Sequence, residues 1–511
     1  MSLQLYPVQP NDLIMPEGEG YRVRVNGRAV PLDTARVSAV PYNRRWPGHQ
    51  RALDQTELVQ FLSMAADEPL SFEITPPRPC GHAVVRPQSR GVAPQIDADG
   101  TIRFTMNEPS YVVLEPYGRR GALHMFVDRP EQRASRPDPA DPSVIYYGAG
   151  VHDAGLIELK SGQTLFIDAG AVVYASVRAT DARNIRILGR GILDNSRNKA
   201  QILFEAHAEK NDSAVNNAVR RHTIELSYCT HVEIDGITIR DSLVYNIRPI
   251  GCRDLTVRNV KIIGCWRFNS DGIDMHNCED VLIEHCFLRT FDDSVCVKGF
   301  DCYYEGDVEK AVHAAMYRHG QAYDVFRRAV IRDCTVWNDW GKCFEIGAET
   351  RAEEICDILF EDSDVIHVTG PVLDCCNVDY ADVHDVTYRN IRVELDETIP
   401  APRLQEYDRV PYGPVESGYV PPLICACVAF HHEYSAGGTR RGRNRNLLFE
   451  DIKVRGGGAP IVDIAGYSET AQCRDVTVRG VCVDGRPLLS ERDFIWRIGD
   501  HCENVVYERA K

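Results

Sequence analysis

From about Val144 to the end of this 511-residue chain, one nine-residue phrase recurs: Asn or Asp, apolar, any, apolar, polar, Asn/Asp/Gly, apolar, any, apolar. Asp254-Leu255-Thr256-Val257-Arg258-Asn259-Val260-Lys261-Ile262 is one copy, and Asp280 to Leu288, Asp385 to Val393 and Asp475 to Val483 are others. The first apolar position gives the markers Ile185, Val232, Leu255, Val281, Ala329, Ile358, Val386, Leu447, Val476 and Val505. Six of their nine intervals fall between 23 and 29 residues, and the three long ones (47, 48 and 61) leave room for an extra coil or a loop. Period-2 strands repeating at this interval, with no helices between them, predict an all-β solenoid, the parallel β-helix. The Leu-x-x-Leu-x-Leu phrase of leucine-rich repeats is absent.

Residues 1–128 read differently. Short alternating runs such as Tyr21-Arg22-Val23-Arg24-Val25, separated by Asn-Gly, Asp-Gly and Pro, predict a small N-terminal β-sandwich. Residues 129–143, rich in Pro, Asp and Ser, are the expected linker, and residues 144–511 the β-helix. Two insertions interrupt the repeat. Residues 300–327 hold a helix-like stretch, Val308 to Met316, and residues 396–445 are rich in Pro, Tyr and Arg. Long loops on a solenoid are expected to wall a groove. The run Arg440, Arg441, Arg443, Arg445 reads as a solvated loop rather than a ligand clamp.

The 18 cysteines fall into register with the repeat. Cys229, Cys252, Cys278, Cys473 and Cys502 lie three residues before a marker. Cys286 and Cys334 lie five after, where other coils carry Ile or Val. They are expected as interior ladders of buried thiols rather than as disulfides or a metal cluster. A net charge of −16 argues against nucleic acid or an anionic membrane as partner. The start, MSLQLYPVQPNDL, lacks a basic segment followed by an apolar one, so a cytoplasmic protein is expected.

Asn269-Ser270-Asp271-Gly272-Ile273-Asp274 is followed, 21 residues after Asp271, by Asp292-Asp293. That spacing is slightly under one coil, so the clusters are expected to project from neighbouring coils into one groove. Three acids in one groove repel, and one then keeps its proton near neutral pH. A protonated acid beside ionised carboxylates that activate water is what glycoside hydrolysis requires. Two carboxylates on the water side favour inversion, for which carboxyl separations of roughly 6.5–9.5 Å are usual. The competing readings are acids that cap β-helix turns, as expected for Asp274, or a Ca²⁺ site.

The stretch from Tyr245 to Gly299 resembles glycoside hydrolase family 28, the polygalacturonase family of right-handed parallel β-helices. Asn269-Ser270-Asp271 is similar to its Asn-Thr-Asp, Asp292-Asp293 to its Asp-Asp pair, and Val297-Lys298-Gly299 to the segment that follows. Asn246-Ile247-Arg248-Pro249 to Cys252 resembles the preceding strand, and Gly150 to Ala171 the first coils. The resemblance covers about residues 150–395. It implies Asp292 as general acid, with Asp271 and Asp293 holding and deprotonating the water, and Asn269 among the residues that bind substrate. It implies neither metal nor cofactor.

The departures bear on substrate. The family's Gly-His-Gly is Gly341-Lys342-Cys343 here, no basic residue stands at Val372 to Cys376 where its Arg-Ile-Lys falls, and Arg248 replaces a usual histidine. Glu345 and Asp374 are gained; with Asp271 they stand sixteen residues after a marker, as if in one column. A neutral or otherwise atypical oligosaccharide or polysaccharide is therefore expected rather than galacturonan, although Lys298, Lys342 and Arg248 could still meet a uronate. Glu345 could bind sugar hydroxyls or pair with Lys342. A Ca²⁺-dependent pectate-lyase-like enzyme and a non-catalytic glycan-binding solenoid are the alternative classes.

Overall fold

The computed structural model describes residues 3–39, 53, 56–131, 136–197, 222–267, 269–300, 316–395, 420–431, 434, 435 and 440–509. Residues 308–315 of the expected helix and residues 396–419 of the second insertion lie outside them. Over the described residues the chain is a right-handed parallel β-helix preceded by two packed sheets.

All ten markers lie in one register column of a 12-stranded parallel sheet, each opposite the next from Ile185 and Val232 through to Val476 and Val505. The recurring phrase has a backbone cause. In every coil the residue before the marker has a positive φ, from Asn184 (55°) to Asn504 (52°), and it is Asn or Asp in all but the coils of His231 and Arg328. Four residues after the marker the backbone turns left-handed again, at Gly189, Gly236, Asn259, His285, Asp333, Asp362, Asn390, Asp451 and Gly480. Gly, Asn and Asp tolerate that region best, so the two corners of each coil are written in residue identity. Because Ile185 pairs with Val232, Val281 with Ala329 and Val386 with Leu447, the three long intervals each span one coil with an insertion, not two coils.

Each coil contributes three strands, and the three columns have different neighbours. The 12-stranded sheet, from Val144–Tyr147 to Cys502–Glu508, turns a charged face to solvent. One register column there runs Asp235, Arg258, Glu284, Arg332, Glu361, Arg389, Glu450, Arg479, Glu508, alternating in sign at every step. The arginines bridge their neighbours at 2.9 Å (Arg258–Asp235), 2.7 Å (Arg332–Glu284) and 2.8 Å (Arg479–Glu450). The other two columns alternate in a 21-stranded sheet. Between them lies one continuous core, which includes Cys229, Cys252, Cys278, Cys286, Cys334 and Cys473 as buried free thiols.

The N-terminal residues form a six-stranded and a five-stranded sheet. Val23, Val25, Leu62, Met64, Phe72, Ile74, Val112, Leu114 and Met125 fill the space between them. The outer face of the six-stranded sheet is not solvated. Phe61, Tyr111, Val113 and Phe126 pack on Ile263, Phe287, Trp337 and Ile366, which project from the second strand column of the β-helix. Strands Tyr111–Glu115 and Leu123–Asp128 are therefore buried throughout. Charged residues of this sheet find partners across the contact, and Glu115 also holds Arg86 of its own sheet. Asp128 meets Lys261 Nζ at 3.1 Å, Asp33 meets Arg240 at 2.9 Å, and Glu115 meets His367 at 2.5 Å as well as Arg86 at 2.8 Å.

Candidate active site

The third strand column carries the site. Ile247–Ile250, Ile273–His276, Val295–Lys298, Phe344–Ile346, Leu373–Asn377 and Ile424–Val428 are successive parallel neighbours. Just before these strands the ladder already runs. Asp271 O accepts the Asn246 N–H at 2.9 Å, Asp293 O that of Gly272 at 2.8 Å, and Lys342 O that of Ser294 at 2.8 Å. Asp271, Asp293 and Lys342 thus occupy equivalent positions on three consecutive coils; the acid clusters do meet on neighbouring coils, with Asp293, 22 residues on, rather than Asp292 in register with Asp271. The backbones approach so closely that a Cβ on Gly272 would lie 2.2 Å from Ser294 O, and one on Gly341 would lie 2.4 Å from Asp293 N. Asn338 locks this approach. Its buried amide donates to Asp292 O at 2.6 Å, Ser294 Oγ at 3.1 Å and Lys342 O at 3.1 Å.

Asn269, Asp271, Asp292, Asp293, Lys298, Lys342 and Glu345 line one pocket of about 420 Å³, with Tyr245, Trp340, Glu349, Pro422 and Tyr434. Seven of the nine residues expected at the site meet there. Asp374 lies behind Lys342 rather than on the wall. Arg248 pairs with Glu225 at 3.6 Å and with His222 at 3.2 Å, outside the lining. Pro422 and Tyr434 come from the second insertion, which does wall the groove on that side.

Two departures from expectation share one physical reason, the variable length of the corner ahead of the third strand. Eighteen residues separate Leu255 from Ile273, but fifteen separate Ile358 from Leu373, so counting from the markers does not give a common column. Glu345 and Asp374 are in register with Cys296 and Asp274; Asp271 stands three residues earlier, on the lead-in. Asp274 is consequently no turn cap: it sits on a strand, buried, with Lys298 Nζ at 2.9 Å. Glu345 and Asp374 both pair with Lys342, Asp374 at 2.8 Å.

Lys298 is the hub. Its ammonium lies 3.7 Å from Asp271, 3.8 Å from Asp293, 2.9 Å from Asp274 and 3.5 Å from Glu349. Asp292 has no Lys or Arg within 4.0 Å among the described residues; its oxygens accept the N–H groups of Asn269 (3.2 Å) and Asp293 (3.1 Å). Asp293 accepts the Lys342 N–H at 3.0 Å and is the most exposed of the three, at 16% against 2% for Asp271. Burial, followed by the charge of Asp293, holds the Asp292 carboxyl well above the usual range. Burial, Asp274 and Asp292 do the same to Asp271, opposed by Lys298. Burial and Asp293 raise Glu345 likewise. The result is a crowded acidic pocket holding protons that solvent-exposed carboxyls would lose.

One oxygen from each of Asp271, Asp292 and Asp293 lies within 4.8 Å of the others. That is tighter than the expected separation of roughly 6.5–9.5 Å for an inverting pair. Three carboxylates so placed could also hold a hard cation, but the Lys298 ammonium already faces two of them and supplies the positive charge there. Tyr245, Trp340, Glu349 and Asn338 were not singled out from sequence. Only Asn338 had a readable signal, standing next to Asp339 in the corner preceding Gly341.

Part of the chain is similar in sequence to known proteins, and most of it is similar to one in fold. Residues 156–305 match the model of glycosyl hydrolases family 28, a stretch that includes Asn269, Asp271, Asp292, Asp293 and Lys298 but ends before Lys342. A probable polygalacturonase from Vitis vinifera is 29% identical over 152 residues, 28% of this chain and 28% of that protein. The match thus spans under a third of the curated relative's length. Dex49A from Penicillium minioluteum aligns over 97% of this chain and 96% of its own, with a TM-score of 0.57 and 12% identity, a likeness of fold that embraces both the sandwich and the β-helix. The family 28 exopolygalacturonase of Yersinia enterocolitica aligns over 99% and 98%, at 14% identity and a TM-score of 0.45.

Proposed function

We propose that this chain, a divergent relative of the family 28 glycosyl hydrolases through residues 156–305, hydrolyses O-glycosidic bonds of an uncharged oligosaccharide or polysaccharide with inversion. One observation carries the reading: Lys298 contacts Asp271 and Asp293 but not Asp292. An ammonium close to two carboxyls opposes the rise that burial and crowding impose on them, while Asp292, which Lys298 reaches only at longer range, is the acid proposed to keep its proton through the reaction. Asp292 then protonates the leaving oxygen while Asp271 and Asp293 orient and deprotonate water. Inversion rests on this division of labour, one acid against two bases, and not on carboxyl separation. Asn338, through the carbonyls of Asp292 and Lys342, keeps the acid facing the pocket.

The substrate class follows from charge. Lys342 is matched by Glu345 and Asp374, Lys298 by four carboxylates, and Arg248 by Glu225. Of the stretch Val372 to Cys376, Val372, Leu373 and Cys375 point into the core and Asp374 faces Lys342. Among the described residues no pocket cation is left over for a uronate carboxylate, and the acidic lining would repel one. Trp340 and Tyr434 in the lining offer apolar surface for a sugar ring. The cysteine columns, buried as free thiols, support the further reading that the protein works in a reducing compartment, the cytoplasm.

Release of reducing ends from matched neutral and uronate oligosaccharides tests this directly. Turnover is expected on a neutral panel member, unaffected by chelator and absent in Asp292→Asn, which still binds the sugar. Turnover confined to uronates refutes the substrate class. Chelator-sensitive formation of unsaturated products refutes the hydrolase, and binding without turnover by the wild type refutes the enzyme.

A further inference from the structure

We propose that Glu354, Cys356 and His384 form a site for a zinc-like divalent cation on the outer face of the 12-stranded sheet, a different sheet from the one that carries the pocket. Strands Glu354–Glu361 and Asp382–Arg389 are parallel neighbours, and Cys356 stands directly opposite His384. Glu354, two residues before Cys356, projects from the same face. One ligand atom from each of the three lies within 4.8 Å of the other two. Both ring nitrogens of His384 meet carboxylates: Nε2 faces Glu354 Oε1 at 3.0 Å and Nδ1 faces Asp385 Oδ2 at 2.6 Å. An imidazole that ligates through one nitrogen while a carboxylate holds the other is the usual arrangement around protein-bound metals. A thiolate, an imidazole and a carboxylate suit zinc, with a fourth position left for water.

The surroundings set this trio apart. In the register column that contains it, other coils place Arg253, Glu279, Arg327, Arg445 and Arg474, the charged residues of a solvated face. Two adjacent coils break the pattern with Cys356 and His384, both buried. The flanking cations are spoken for: Arg327 binds Glu279 at 2.8 Å, and Arg443 and Arg445 bind Asp382 at 2.6 and 3.0 Å. Among the described residues no Lys or Arg lies within 4.0 Å of Glu354 or Asp385, and both carboxylates pair with His384 instead. On a face where most acids are matched by arginine, these two carboxylates converge on the imidazole, and the Cys356 thiol lies within 4.8 Å of Glu354 and His384 and 3.8 Å from Asp357. When the cation binds, the thiol proton leaves to solvent as the sulfur–metal bond forms, and the ion joins two successive coils.

The test uses the full-length protein, stripped with chelator, kept reduced and titrated with Co(II) and then Zn(II). One Co(II) per chain is expected, with thiolate-to-cobalt charge-transfer absorption in the near ultraviolet that one equivalent of zinc removes. Cys356→Ser abolishes that band, and His384→Gln and Asp385→Asn each weaken zinc binding by about tenfold or more. Circular dichroism confirms that these variants fold. Cys296→Ser, which alters the thiol nearest the pocket acids, leaves the titration unchanged. Absence of a thiolate band overturns the proposal, as does zinc binding that survives both Cys356→Ser and His384→Gln. A band lost in Cys296→Ser instead puts the metal in the pocket and overturns it equally.

Discussion

A carboxyl's pKa rises when burial and neighbouring anions outweigh the cations around it, and Asp292 meets that condition. Its pKa is higher in the folded chain than in the unfolded one, so the stability it contributes is present below the ordinary carboxylate pKa of about 3.9 and is lost as pH rises through its folded value. Asp292→Asn removes that loss. Thermal melts should therefore show the variant gaining on the wild type as pH rises from 4 to 8, while its turnover falls on the order of 10²–10⁴-fold. Equal melting temperatures across that range would contradict the burial argument. The rate of the wild type needs Asp271 ionised and Asp292 protonated, both raised. A bell-shaped kcat/KM profile with both limbs above the ordinary carboxylate range is the expected outcome, measured on whichever neutral substrate turns over. At this scale the sequence showed which acids would meet, because Asp271 and the pair at 292 and 293 lie one coil apart. It did not show that Asp274 belongs to Lys298, since that depends on a corner whose length varies from coil to coil.

For single elements, the β-helix is held in register by two devices of different legibility. Asn, Asp and Gly at the two left-handed corners of each coil could be read directly, because few other residues tolerate that backbone. The alternating column from Asp235 to Glu508 could not. Its members are 23 to 61 residues apart, and their alternation emerges only once the register is known. Exposed pairs each contribute little, but reversal of one sign sets like charges side by side. Arg389→Glu would set a new carboxylate between those of Glu361 and Glu450, three in a row, costing about 1 kcal/mol. Denaturation midpoints at low and high salt check this: the cost should shrink as screening increases. A loss that is independent of salt would assign the effect to packing of the arginine stem.

On the scale of the whole molecule, the sandwich is a cover for the second strand column rather than a tethered neighbour. The continuous apolar run Tyr111-Val112-Val113-Leu114 is the sequence trace of a sheet buried on both faces, yet nothing local names what lies on its far side. The ionic partners come from 133 and 207 residues away, as Lys261 does for Asp128 and Arg240 for Asp33. Glu115 shows what the contact is worth. Burial pushes its pKa up, but His367 and Arg86 prevail and hold it down at about 2. Because the folded value is depressed, its stabilising contribution is complete above about 4.3 and is lost as pH falls toward 2. Glu115→Ala leaves Arg86 with Glu394 alone and the buried His367 ring without its acceptor, a cost of roughly 1–3 kcal/mol near neutral pH. Urea midpoints at pH 7 and pH 3 should show a large difference between variant and wild type at the first and a smaller one at the second. A difference independent of pH would contradict the electrostatic account of this interface.

The proposed chemistry requires one proton-bearing acid, Asp292, facing Asp271 and Asp293, which share the Lys298 ammonium. Proton NMR of the first sugar released from a neutral oligosaccharide, recorded before mutarotation, tests that claim most directly. The account predicts the anomer opposite to that of the bond cleaved, formed by the wild type and not by Asp292→Asn. A retained anomer, or wild-type turnover in Asp292→Asn, would contradict it.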